Sequence, residues 1–142
     1  TKLGVHGPRN HPIPCRLPMI KLVYIIKRLP GLTPEAFYDR WLEGHAPLVA
    51  EVADDINAVR YVQSHTMDTP VNQQLADSRG MPPAYDGITE VWWNSLEDLV
   101  DGMSTPEGKL AMGRLLEDER DFIDFEKSYL FITREHVIFD KT

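Results

Sequence analysis

The chain has 142 residues, 42% hydrophobic, with 15 Lys and Arg against 22 Asp and Glu and a formal net charge of −7. These values fit one globular domain with its own core and exclude an intrinsically disordered chain. The acidic balance argues against nucleic acid, and the absence of any polybasic cluster argues against an anionic membrane surface.

The charge is uneven along the chain. Residues 1–18 hold Lys2, Arg9 and Arg16 and no acid, so residues 19–142 carry −10. The same stretch holds Pro8, Pro12, Pro14 and Pro18, four of the 11 prolines, and supports neither helix nor strand. It reads as an extended arm (1–18) ahead of a domain (19–142). Cys15 is the only cysteine and cannot close an internal disulfide, which fits a reducing, cytoplasmic setting. The longest apolar run, Leu22 to Ile26, is too short to span a bilayer, so a soluble protein is expected.

Met19 to Arg28 is rich in β-branched and aromatic residues and predicts a strand that ends at the turn Leu29-Pro30-Gly31. Thr33-Pro34-Glu35 then opens a helix, with Thr33 as N-cap and Pro34 in the first helical position. Phe37, Trp41, Leu48 and Val52 keep helical spacing to about Asp54, but Pro47 lacks a backbone donor and predicts a kink around Gly44–Pro47. A second strand is expected over Ala58–Met67, with Tyr61, Gln63 and His65 sharing a face. Residues 68–83 read as a connection with a helical turn near Val71–Asp77. The third strand, Tyr85–Trp93, alternates, with Asp86, Ile88, Glu90 and Trp92 on one face. Ser95 caps a short helix, Thr105-Pro106-Glu107 opens another to about Asp121, and Ser128–Phe139 is the last predicted strand. The order β-α-β-β-α-β is the split βαβ plan of ferredoxin-like α+β folds. Its helices cover one sheet face, and a second copy of the same sheet is the simplest cover for the other, so a homodimer is expected.

MIKLVYIIKR (19–28), Pro30-Gly31-Leu32-Thr33-Pro34-Glu35-Ala36-Phe37, Trp41 and Gly44-His45-Ala46-Pro47 together resemble the EthD-like family of dimeric α+β barrels. The match continues through Tyr85–Trp93, Thr105-Pro106-Glu107-Gly108 and Asp121–Asp124, and so covers most of residues 19–139. The resemblance implies two ferredoxin-like protomers joined sheet to sheet. It also implies relatives that act without a cofactor on small aromatic, polyketide or lactone-like substrates. The name-giving member belongs to an ether-degradation system and has no clear reaction of its own. One fold hosts many functions, so the chemistry has to come from the site.

His45 is the first candidate: imidazole serves as acid or base near neutrality, and the Pro47 kink either turns it towards a pocket or uses it as a brace. In some relatives the histidine of this motif has an acid/base role. Glu90 lies mid-strand beside Trp92, as a general base if its face lines the pocket or as a structural ion pair with Arg60 or Arg134. Asp86, at the strand start, reads mainly as structural. Tyr24, central in the first strand, is either a hydrogen-bond donor to substrate or a core tyrosine. His65 is either a partner for His45 or a rim residue. Trp92 and Tyr61 are candidate binding-wall residues, and Trp41 reads as a helix anchor. No phosphate loop, Cys-x-x-Cys or His-Glu-x-x-His occurs, and no cofactor or metal is expected. The acids Glu117-Asp118-Glu119 read as a solvated helix face. The expected function is a proton transfer (elimination, decarboxylation or isomerisation) on a small hydrophobic ligand. A non-catalytic ligand-binding protein of a degradation pathway and a cofactor-independent monooxygenase are the alternatives.

Overall fold

The computed structural model describes residues 19–142. The expected arm and Cys15 lie outside the described residues. Strand β1 (Ile20–Ile26) is followed by α1 (Pro34–Asp39), a π-helical turn (Arg40–His45) and α2 (Ala46–Val52). Then come β2 (Arg60–His65), α3 (Pro70–Asp77), β3 (Gly87–Trp93), α4 (Leu96–Ser104), α5 (Pro106–Glu119) and β4 (Tyr129–Arg134). The four strands form one sheet in the order β2-β3-β1-β4, with every pair antiparallel. This is the ferredoxin-like α+β fold the element order predicts.

Helix starts follow the sequence closely. Thr33, Thr69, Ser95 and Thr105 are N-caps whose side chains accept from Ala36, Val71, Asp98 and Gly108 amides. Each satisfies one of the amides a helix leaves without a partner. The helix at Pro70–Asp77 is longer than the single turn expected. Its signal is Thr69-Pro70, the same cap-and-proline start seen at Thr33-Pro34 and Thr105-Pro106.

The kink expected at Pro47 takes a specific form. Ala46 N–H bonds to the Trp41 carbonyl, a wider i to i+5 turn, and Pro47 then stands in the first turn of α2. Here the missing amide hydrogen leaves nothing unpaired, so the helix continues to Val52 without a break. The last strand is shorter than predicted and ends at Arg134, which pairs with Ile20, the first residue of β1. Beyond it no neighbouring strand among the described residues continues the ladder, and residues 135–142 have no regular structure.

Register fixes which residues meet the helices. Leu22 stands opposite Val91, and Tyr24 opposite Thr89, on the face that packs under the helices. Phe37, Trp41 and Phe122 are fully buried there. A buried phenylalanine contributes about 2–3 kcal/mol. Gly87 lets β3 pass close beneath Trp41, since a Cβ on it would lie 2.5 Å from that indole and 2.7 Å from the Ser64 carbonyl oxygen. The opposite face carries Val23, Ile25, Ile88 and Phe131, with Ile88 and Phe131 exposed in the single chain.

Candidate functional site

A cavity of about 210 Å³ lies between sheet and helices. Its floor comes from β1 and β3, with Leu22, Tyr24, Thr89, Val91 and Trp93, while Tyr61 and Leu130 close the sides. Its roof is Trp41, His45 and Val49 from the first helical segment and Met112, Leu115 and Glu119 from α5. The wall is apolar apart from a few groups, which gather around Tyr24 and Thr89.

His45 is buried, and its Nδ1 lies 2.7 Å from Asp118 Oδ2. Burial pushes the Asp118 carboxyl up, but hydrogen bonds from Arg40 and His45 outweigh it and hold that carboxyl below its usual range. Asp118 is therefore ionised at neutral pH and accepts, so Nδ1 carries the hydrogen. Burial in turn lowers the His45 pKa, against the pull of Asp118, which leaves Nε2 as an unprotonated base.

Nε2 lies 3.8 Å from Glu119 Oε2. The other Glu119 oxygen accepts from the Tyr24 hydroxyl at 3.0 Å. Burial raises Glu119 to about 7, with Tyr24 working against it and Asp118 adding to it. Burial also raises the Tyr24 hydroxyl, reinforced by Glu119, so it stays a donor. Asp118, His45, Glu119 and Tyr24 thus form a chain of polar contacts, with a base and an acid side by side in an apolar cavity. Two neighbouring groups pushed to opposite sides of neutrality are suited to giving and taking one proton.

Of the residues singled out from sequence, the structure brings His45, Tyr24 and Tyr61 to the cavity. His65 lies elsewhere: its ring stacks on Trp41 at 4.5 Å and on Tyr38 at 5.0 Å, and its Nε2 meets Gln63 Oε1 at 2.8 Å. Gln63 passes that contact on, donating to the Tyr61 hydroxyl and to the Trp41 carbonyl. His65 is a brace behind the cavity wall rather than a partner of His45.

Glu90, Asp86 and Trp92 do not reach the cavity. Glu90 and Trp92 project from the opposite sheet face, because the period of two sends Thr89, Val91 and Trp93 to the helices. Glu90 pairs with Lys21 at 2.8 Å, not with either arginine expected. Arg60 lies 4.4 Å over the Trp92 ring, and its indole donates to Glu135. Asp86 accepts from the Arg28 amide at 2.7 Å and fixes the loop after β1. Trp93 is the indole on the cavity side, and it is anchored by a bond to the Ile56 carbonyl.

Asp118 and Glu119 correct the solvated-face reading. The run Glu117-Asp118-Glu119 ends α5 where the helix meets the Trp41–His45 turn, so two consecutive acids turn inwards. Arg40, one residue before Trp41, also belongs here, with two hydrogen bonds to Asp118. The available signal was Arg40, a cation in a helix otherwise facing acids.

A family model described as EthD domain matches residues 29–126. No match was found among curated proteins. Among solved structures, an ethyl tert-butyl ether D (EthD) family protein from Bacillus halodurans is similar at a TM-score of 0.57 and 20% identity, covering 83% of this chain and 99% of its own. A dimeric ferredoxin-like protein of unknown function from Thermobifida fusca is similar at 0.53 and 9% identity, covering 83% and 92%. SnoaB, a cofactor-independent oxygenase from Streptomyces nogalater, is similar at 0.50 and 12% identity, covering 85% and 97%. At these identities the likenesses establish a shared fold. Because the domain model spans more than half of the chain, over the stretch that supplies Trp41, His45, Asp118 and Glu119, the chain belongs to the EthD family.

Proposed function

We propose that the chain is a small enzyme that needs no cofactor and moves a proton within a small aromatic, polyketide or lactone-like substrate held in the cavity. The reaction is an elimination, a decarboxylation or an isomerisation. The supporting observation is the Asp118–His45 contact facing Glu119 and Tyr24 inside an apolar enclosure.

Asp118 fixes the imidazole tautomer, and His45 Nε2 removes a proton from a carbon next to a carbonyl. Negative charge then develops on the carbonyl oxygen. Glu119 in its protonated form, or the Tyr24 hydroxyl, donates to that oxygen, where a dry surrounding strengthens the bond. The proton returns from His45 to the product carbon or to a leaving oxygen. His45→Ala lowers turnover at least about a hundredfold, the usual share of one acid–base group. Turnover unchanged in that variant would remove the mechanism.

The fold shared with a cofactor-independent oxygenase favours a second reading, in which the same base ionises a phenolic substrate that then reacts with oxygen. An anaerobic assay separates the two, because only the oxygenase stops.

Two copies joined through the sheet face bearing Val23, Ile25, Ile88 and Phe131 form the working unit. Dimeric relatives of the same fold support that arrangement. No helix among the described residues is long and apolar enough to cross a membrane, and a cytoplasmic location remains our reading from the single cysteine.

A further inference from the structure

We propose that the cavity selects a neutral substrate of about one substituted ring, carrying its oxygen function at one end, and rejects carboxylates and phosphates of the same size. The proposal rests on the reading of this cavity as the active site and narrows its substrate class.

Three observations carry it. The first is the charge around the enclosure. The polar groups on its wall are Tyr24, His45, Tyr61, Thr89 and Glu119. None is a lysine or arginine. The nearest guanidinium, Arg40, is absent from the wall and committed to Asp118 and Asp121. A carboxylate entering here would leave water without gaining a cation and would approach a second carboxyl, Glu119. An uncompensated ion in an apolar enclosure is strongly disfavoured, whereas a neutral hydroxyl or carbonyl finds donors and acceptors ready. Burial keeps His45 neutral and so removes the one remaining positive group.

The second is polarity along the strands. Tyr24 and Thr89 face each other at one level. One step further along the same face, Leu22 meets Val91, and beyond it Ile20 meets Trp93. Same-face neighbours on a strand are about 7 Å apart, close to the length of one ring. The floor therefore has a polar end under His45 and Glu119 and an apolar end beside Trp93. A ring fits the apolar end and places one oxygen at the polar end. Trp41, which roofs the cavity, also leaves its indole N–H without an acceptor among the described residues. A substrate oxygen supplies one.

The third is volume. A dry apolar cavity of about 150 Å³ holds benzene. About 210 Å³ therefore holds one ring with two or three further heavy atoms, and three fused rings exceed it.

The test is binding to the full chain, followed by methyl NMR of Met112, which lines the cavity. The probes are 4-ethylphenol, 4-ethylbenzoate and 2-anthrol at pH 7.5. We expect the phenol to bind and shift the Met112 signal, the benzoate to bind at least about a hundredfold more weakly, and the anthrol to leave the signal unmoved. Glu119→Gln narrows the gap between phenol and benzoate, because it removes the repelling carboxyl. Equal affinity for phenol and benzoate, or a Met112 shift with the anthrol, overturns the proposal. Selectivity is read without turnover. A phenol preference in a protein whose His45→Ala variant keeps full activity upholds the proposal and removes the catalytic reading. A His45-dependent reaction on a carboxylate substrate does the reverse.

Discussion

Replacing Glu119 by Gln tests the buried acid directly. In the folded protein this carboxyl is raised from 4.5 to about 7, chiefly by burial. A group raised in this way prefers its protonated form when folded, so the folded state is favoured at acid pH. That advantage is lost as pH climbs from the ordinary carboxyl range through about 7. The full loss corresponds to about 3 kcal/mol, of which less than about 1 has accrued by pH 5. Between pH 5 and pH 8 the wild type thus loses roughly 2–3 kcal/mol through Glu119 alone. His45 works with the opposite sign. Its lowered pKa means that the unfolded chain takes up a proton first, so its contribution to stability falls as pH drops below 6.5. The wild-type slope by itself mixes the two groups. The difference between wild type and Glu119→Gln isolates Glu119, because both proteins keep His45 and the new amide oxygen still accepts from Tyr24. Urea unfolding at pH 5, 6, 7 and 8 gives that difference. Equal pH dependence of the two proteins, within about 0.5 kcal/mol, would refute the reasoning.

Other outcomes follow from the same geometry. Tyr24→Phe removes the bond that lowers Glu119. In that background, the stability difference made by adding Glu119→Gln has its pH midpoint above about 7. Asp118→Asn moves the His45 titration, followed by imidazole NMR, to lower pH, because Asp118 is what raises it. Arg40→Ala moves the same signal the other way, since the guanidinium disfavours imidazolium, and identical shifts in the two variants would contradict the assignment. Gly87→Ala destabilises by about 2–3 kcal/mol in chemical unfolding, because the new Cβ meets both Trp41 and the Ser64 carbonyl and the backbone atom cannot give way.

The fold was legible because its signals are local. Thr33-Pro34, Ser95 and Thr105-Pro106 mark helix starts through cap chemistry, and period-two alternation marks β3. His45 and Tyr24 were legible too, one from its motif beside Pro47 and the other from its place at the centre of β1. Glu90 and Glu119 show where such reading stops. Both are single acids in an amphipathic element, and alternation cannot say which face of β3 meets the helices. That depends on the twist and register set by β1, a partner distant in the chain. The inward turn of Asp118 and Glu119 depends on how α5 crosses the first helix, a packing angle with no local sequence mark. Burial then changed what Glu119 is chemically, and burial is a property of the finished assembly.

The wide turn at Arg40–His45 has a mechanical consequence. A turn that spans five residues where four would do holds one residue more than an α-helix needs, and each residue advances a helix by about 100°. Removing one residue from this turn would therefore rotate everything after it by more than a quarter of a revolution. Val49 and Val52 would swing out of the core, and the Trp41–His45 pair would lose its common bearing. The turn acts as an index that sets the angle between the two ends of the helix. Single substitutions leave that angle alone, but a one-residue deletion misaligns core and site together.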